Sequence, residues 1–250
     1  LEKEKPLPDI KSVKSPAIII SCEHGGNQIP PGWGHLFKDK HQLLQSHRGW
    51  DPGALLLAEK IVARNHCPFV FEKNSRLVVD QNRSLTNNQV LSEITASLSK
   101  EQKEKIISGI YKPYRITITT AIENLLKKHR RVYHFSIHSF TPVLNGVIRK
   151  ADMGLLYDPK REIEKVFCLK LIKRLQDEIP GICIRRNYPY KGTSDGLTTA
   201  LRKRFSSSSY AGIEIEINQL HPLKKTALWN IIMEKLPCCI NEVIGAELPQ

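Results

Sequence analysis

Ala17-Ile18-Ile19-Ile20-Ser21-Cys22, running straight into Glu23-His24-Gly25-Gly26-Asn27, is the stretch on which the reading of the fold turns. Three consecutive isoleucines after Pro16 make a short, β-branched run without alternation. That is the pattern of a strand buried on both faces of a parallel sheet. The polar segment leaves this strand at its carboxyl end. Gly25-Gly26 predicts a close approach of two backbones there, and Pro30-Pro31 closes the loop.

Working outward, residues 51–64 (DPGALLLAEKIVAR) have helical spacing. Asp51 can cap this helix and Pro52 suits its first position. Residues 68–71 and 77–79 read as further strands, the second ending in Asp80-Gln81-Asn82-Arg83. A long helical stretch spans roughly residues 100–131, interrupted at Lys112-Pro113. Residues 132–137 form a strand that ends in His138-Ser139-Phe140-Thr141-Pro142. Residues 153–157 are strand-like, 162–175 an amphipathic helix and 181–184 a short strand. A helix near 196–205 precedes residues 212–217, which alternate with period two, and a last helix covers 222–243. Strands alternating with helices predict one α/β domain, its sheet flanked by helices on both faces. The domain is expected over residues 16–250, after a polar, flexible lead-in over 1–15. Functional groups in such sheets gather at the carboxyl ends of the strands.

Composition narrows the function. With 250 residues, 40% of them hydrophobic, the chain can bury a sizeable core. No run of 18 apolar residues predicts a membrane span, and the charged N-terminal stretch lacks the apolar segment of a secretory signal. Six scattered cysteines without CxxC spacing predict free thiols and a cytoplasmic location. The net charge of +13 attracts anions. Its densest clusters, residues 127–131 and 202–204, fall at the ends of helical stretches, where they complement the helix dipole. Neither zinc-finger spacing nor an aromatic-studded RNA-binding strand occurs, so nucleic acid is not the expected partner.

Three polar clusters leave strand ends and should converge, bringing His24, Asn82, Arg83 and His138 together. Two imidazoles and a carboxylate with one open position are the usual holders of catalytic zinc, which polarises an amide carbonyl and acidifies water. Either histidine alone reads more readily as a hydrogen-bonded loop residue than as a ligand. His134 shares a face with Ser136 and His138 and reads as a packing or supporting residue. His35, His41, His47, His66, His129 and His221 read as surface or packing residues. Arg83 beside Asn82 offers a fork for a carboxylate, with Arg76 at the other end of the same predicted strand. An ordinary ion pair is the competing reading. Glu214 and Glu216 share one face of an apolar strand. A buried carboxylate there needs a metal, an arginine or a hydrogen-bonding role, and a raised pKa would make one of them a general base. The alternative is an edge strand with a solvated face.

SCEHGGNQIP, HRGWDPGALLLAEKI, SRLVVDQNR, HSFTP and GIEIEINQ, in that order, resemble the N-formylglutamate amidohydrolase family from about Ala17 to about Gln219. That family is similar in fold to zinc carboxypeptidases and aspartoacylase-like deacylases. The resemblance implies a central mixed, mostly parallel sheet. It implies Zn2+ or another divalent metal on His24 and His138, a substrate carboxylate on Asn82 and Arg83 with Arg76 nearby, and Glu216 as the group that activates water. The carboxypeptidase HxxE motif has Asn27 in its fourth place, and a neutral amide is a poor zinc ligand beside a carboxylate. Asp51 is therefore expected as the third ligand, with Glu23 as runner-up, since adjacent residues of an extended chain point apart. Gln81, where that segment commonly carries leucine, is expected to matter little. The expected substrate is a small anionic N-acyl amino acid. The segment from Arg185 to Arg204, which contains RRNYPYKGTSDGL (185–197), is expected to line the pocket. A zinc carboxypeptidase-like deacylase of peptides or cell-wall fragments, and a non-catalytic basic binding protein, are the alternatives.

Overall fold

The computed structural model describes residues 15–246. Apart from Ser15, the expected lead-in lies outside the described residues. The AIIISC run is strand β1 (Ala17–Cys22). It is followed by a 3-10 turn (Gly34–Phe37), the short helix α1 (His41–Gln45), α2 (Ala54–Asn65) and β2 (Phe69–Phe71). Helix α3 (Lys100–Ile106) passes through a π-helical turn (Ile107–Tyr111) into α4 (Lys112–Lys128). Next come β3 (Val132–Phe140), the hairpin β4 (Val143–Leu144) and β5 (Val147–Ile148), β6 (Met153–Leu156), α5 (Glu162–Glu178) and β7 (Ile184–Arg186). Helix α6 (Leu197–Arg204), β8 (Tyr210–Asn218), α7 (Leu220–Lys224) and α8 (Ala227–Gly245) complete the order.

The main sheet runs β2-β1-β3-β8-β6-β7. Its neighbours are parallel except for β8 and β6, which are antiparallel. The expected single α/β domain with a mixed, mostly parallel sheet is therefore the fold. Residues alternate across each strand, and the two faces differ in chemistry. Tyr133, Phe135 and Ile137 of β3 pack with Ala211, Ile213, Ile215 and Ile217 of β8 against α2, α5 and α8 in one large apolar cluster. The opposite face meets α4 and α6, and its apolar cluster is confined to the amino ends of the strands, around Ile19, Val132 and Tyr210. Toward the carboxyl ends that face turns polar, carrying Ser136, His138, Glu214 and Glu216, all buried.

Several local expectations change. Residues 77–79 do not form a strand; a turn covers 76–78 and residue 79 is irregular. Leu77, Val78 and Val79 are buried all the same, in a third cluster with Phe37, Ile106 and Tyr111, so packing claims the apolar run without a ladder. Helix α2 starts three residues later than expected. Its cap is Gly53 at φ 84°, a left-handed conformation open to glycine, and not Asp51. The break expected at Lys112-Pro113 is a π turn instead: the chain stays helical from α3 into α4, with the Lys112 N–H on the Ile107 carbonyl, and this wider turn precedes the proline, which has no N–H to place. The strand expected at 181–184 sits at Ile184–Arg186. The last helix is two helices, separated by Lys225 at φ 48° and restarted by Thr226, whose hydroxyl accepts from the Trp229 N–H at 3.2 Å. No described helix is long and apolar enough to cross a membrane, and all six cysteines are free.

Candidate active site

The three expected ligands come together at the carboxyl ends of β1 and β3. His24 follows β1, His138 sits near the end of β3, and Asp51 lies in the loop before α2. One ligand atom from each falls within 4.8 Å of the others, and all three residues are buried. The ring centroids of His24 and His138 are 5.0 Å apart. Asp51 Oδ2 is the meeting point, 2.9 Å from His138 Nδ1 and 3.4 Å from His24 Nδ1. The backbone supports this placement, since the Asp51 N–H donates to the His24 carbonyl at 3.0 Å. Gly25 and Gly26 let the loop lie against the chain that follows β2. A side chain on Gly26 would start 2.4 Å from the Lys73 carbonyl.

The far ring nitrogens test the site further. His24 Nε2 is 2.7 Å from Asp80 Oδ1, and His138 Nε2 is 2.8 Å from Glu23 Oε2. Ligating histidines characteristically set their second nitrogen on a carboxylate, which fixes the tautomer and the ring plane. The donor set and its supports thus fit a divalent cation. Glu23 is not a third ligand. It lies beneath His138, accepting from Tyr114 at 2.7 Å and from the Ser136 hydroxyl. Asn27 turns away and donates to the Leu44 carbonyl at 3.1 Å.

Burial alone would push the site's carboxyls up, but the partners win. Hydrogen bonds and charge from His138, with Ser136, hold Glu23 well below the usual carboxylate range. The two histidines do the same for Asp51, and Arg76 with His24 for Asp80. Burial opposes a proton on His138, yet hydrogen bonds to Asp51 and Glu23 raise its pKa above the ordinary imidazole value. Glu216 is the exception. It pairs across the ladder with His138 and is 5% exposed, and its Oε2 has no hydrogen-bond partner. Burial, helped by the charges of Asp51 and Glu214, raises its pKa to about 8. Glu214, two residues earlier, is tied at Oε1 by the Thr198 hydroxyl at 2.6 Å. The edge-strand reading of this pair is overturned, because β8 lies inside the sheet between β3 and β6.

These groups open into a cavity of about 290 Å³. Asn82 and Arg83 line it, as do Arg76 and His47. Arg76 is not at the end of a strand, and its fork is engaged: Nε and one terminal nitrogen donate to Asp80 Oδ2 at 3.2 and 2.7 Å. Another nitrogen is 3.5 Å from Asp51. Arg83 is less committed, with one nitrogen on the Asp195 carbonyl at 3.2 Å and Nε 3.9 Å from Asp80. From the 185–197 segment, Tyr190, Lys191, Ser194 and Asp195 reach the cavity wall.

A model of the N-formylglutamate amidohydrolase family matches residues 16–221. The chain belongs to the N-formylglutamate amidohydrolase family. By that membership it is a hydrolase acting on amides, and the match covers every cavity residue named above. Among solved structures it is similar to a gene product of Agrobacterium tumefaciens, 26% identical over 92% of each chain with a TM-score of 0.74. It is also similar in fold to an N-formylglutamate amidohydrolase from Ralstonia eutropha JMP134. There the identity is 16%, over 94% of this chain and 95% of that one, with a TM-score of 0.69. A search of curated proteins gave no match.

Three residues of this amidohydrolase site stand in places the sequence does not assign them: Asp80 has no role there, Glu23 is the runner-up ligand, and His47 reads as a surface or packing residue. Asp80 carried a signal, a carboxylate two places before Asn-Arg. Glu23 carried another, an acid beside a candidate ligand and on the face opposite to it. His47 carried none, because nothing local in its surface helix-to-loop stretch marks it as facing a cavity.

Proposed function

We propose that this amidohydrolase cleaves the linear amide of a small N-acyl amino acid, N-formylglutamate first among the candidates. A divalent metal, zinc first, is held by His24, Asp51 and His138. When bound, the cation supplies positive charge that polarises a carbonyl and acidifies water. Glu216 takes the proton from the attacking water and hands it to the nitrogen of the leaving amine. A carboxyl poised near neutrality suits both directions of that transfer. Arg83, with Asn82, binds the substrate's carboxylate and sets the amide against Glu216. Arg76 faces the same cavity while keeping Asp80, and through it the His24 ring, in place. The cationic surface draws in an anionic substrate, and the free thiols support a cytoplasmic location.

The observation that carries this reading is the unpaired, buried Glu216 carboxylate facing the His24–Asp51–His138 group within one small cavity. A cavity of about 290 Å³ favours a small substrate over a polymer. The test is metal analysis of the purified protein with a hydrolysis screen of N-acyl amino acids, with and without chelator. Close to one divalent ion per chain and chelator-sensitive release of formate are expected. His138→Ala should lose both, and retention of both would remove the site assignment.

A further inference from the structure

The segment bearing Asn82 and Arg83 has no regular secondary structure to hold it. Residues 72–99 contain neither helix nor strand. From behind, the π turn steadies it: the Tyr111 hydroxyl donates to the Arg83 carbonyl at 2.7 Å, and Gln81 donates to the Ile110 carbonyl at 3.2 Å. Arg115 adds a bond to the Gln81 carbonyl at 3.1 Å, and the Asn82 amide lies 3.4 Å from His138 Nε2. From the cavity side one short stretch, Asp195 to Leu197, provides four further ties. The Leu197 N–H donates to Asn82 Oδ1 at 2.6 Å, and Arg83 donates to the Asp195 carbonyl at 3.2 Å. Asp195 Oδ2 accepts from the Ser84 N–H at 3.0 Å and from the Asn87 amide at 2.8 Å.

We propose that Asp195 is a positioning residue for the carboxylate grip, its side chain clasping residues 84–87 so that Arg83 is held at the cavity wall. This rests on the proposed role of Arg83. The chemistry of the clasp is direct. The Asp195 carboxylate bonds the backbone N–H of the residue immediately after Arg83 and a side chain three residues further on. Charged acceptors bind backbone N–H groups more strongly than neutral ones. Without that anchor the turn after Arg83 gains freedom, and ordering it again falls on substrate binding. Asp195 also lines the cavity, so it meets the site without being needed for the proton transfer.

The probe is glutarate, a dicarboxylate with no amide to cleave, titrated calorimetrically into the metal-loaded full chain. Wild type is expected to bind it. Asp195→Ala should weaken binding about tenfold, on the scale of one charge-assisted hydrogen bond. Arg83→Ala should weaken it at least as much, and the double variant no more than Arg83→Ala alone. With N-formylglutamate the Asp195→Ala loss should fall on KM, with kcat within about threefold of wild type. Should Asp195→Ala fail to fold, Asp195→Asn, which keeps the shape and one acceptor, carries the same comparison with a loss of about two- to fivefold. Wild-type affinity in the Asp195 variants, or losses that add in the double variant, overturns the proposal. A wild type that does not bind glutarate overturns it together with the grip assigned to Arg83. If glutarate binding follows the expected pattern while no N-acyl amino acid is hydrolysed, Asp195 keeps its role and the catalytic reading falls.

Discussion

The two faces of the central strands are equally buried and chemically opposite. On β3 the face toward α2, α5 and α8 carries Tyr133, Phe135 and Ile137; the other carries His134, Ser136 and His138. On β8 the split is Ile213, Ile215 and Ile217 against Glu214 and Glu216. Solvent is excluded from both, so burial alone does not identify a core. One face stabilises the fold by removing apolar area from water. The other holds polar groups that must find partners or a bound charge, and Glu216, with an unpaired oxygen, is where that accounting stays open.

The largest expected effect separates the faces most sharply. Glu216→Gln should lower kcat by about 10²- to 10⁴-fold, the range for loss of a general base, while thermal unfolding shows a stability equal to or above wild type. A large loss of stability with activity retained would mean that Glu216 belongs to the core. Next, Phe135→Ala, one residue from Ser136 but on the apolar face, should destabilise by about 3–5 kcal/mol in urea titrations. Metal content and kcat of the folded fraction should stay at wild-type levels.

His134 offers a third, smaller test within the polar face. Burial, together with the charges of Arg202 and His138, lowers its pKa to about 4 against the opposing pull of Glu23. Its ring bonds Ser21 and Tyr210, each at 2.7 Å. The unfolded chain binds a proton near pH 6.5 that the folded one refuses until about pH 4. Stability is therefore full above pH 6.5 and falls as pH drops through that window, by at most ~1.4 kcal/mol per unit for this group. His134→Gln should flatten the slope of unfolding free energy against pH between 6.5 and 4. The smallest effect belongs to Asn27→Ala. Metal affinity and KM should be unchanged, and the lost bond to the Leu44 carbonyl costs about 1 kcal/mol.

How legible was this in the chain? The strands that became β1, β3 and β8 stood out because unbroken or alternating β-branched runs have few other uses. Period two also placed His138 and Glu216 on a definite face. Residues 77–79 were misread because three buried apolar residues satisfy a strand and a packed turn equally well; only the third dimension distinguishes them. Asp51 before Pro52 looks like a helix cap, and the preference was real, but Gly53 took that position and left the carboxylate for the histidines. The supports were harder still. Asp80 and Glu23 act across 56 and 115 residues of chain, onto His24 and His138, and no local pattern encodes a partner at that distance.

Strand β8 is the last to be made, yet it lies between β3 and β6, both of which precede it. Until it arrives, a growing chain carries two bare strand edges, and bare edges invite pairing with other chains. Its arrival joins the two halves of the sheet and sets Glu216 opposite His138 in the same event. A nascent chain therefore stays without the proposed proton acceptor until β8 has joined β3 to β6.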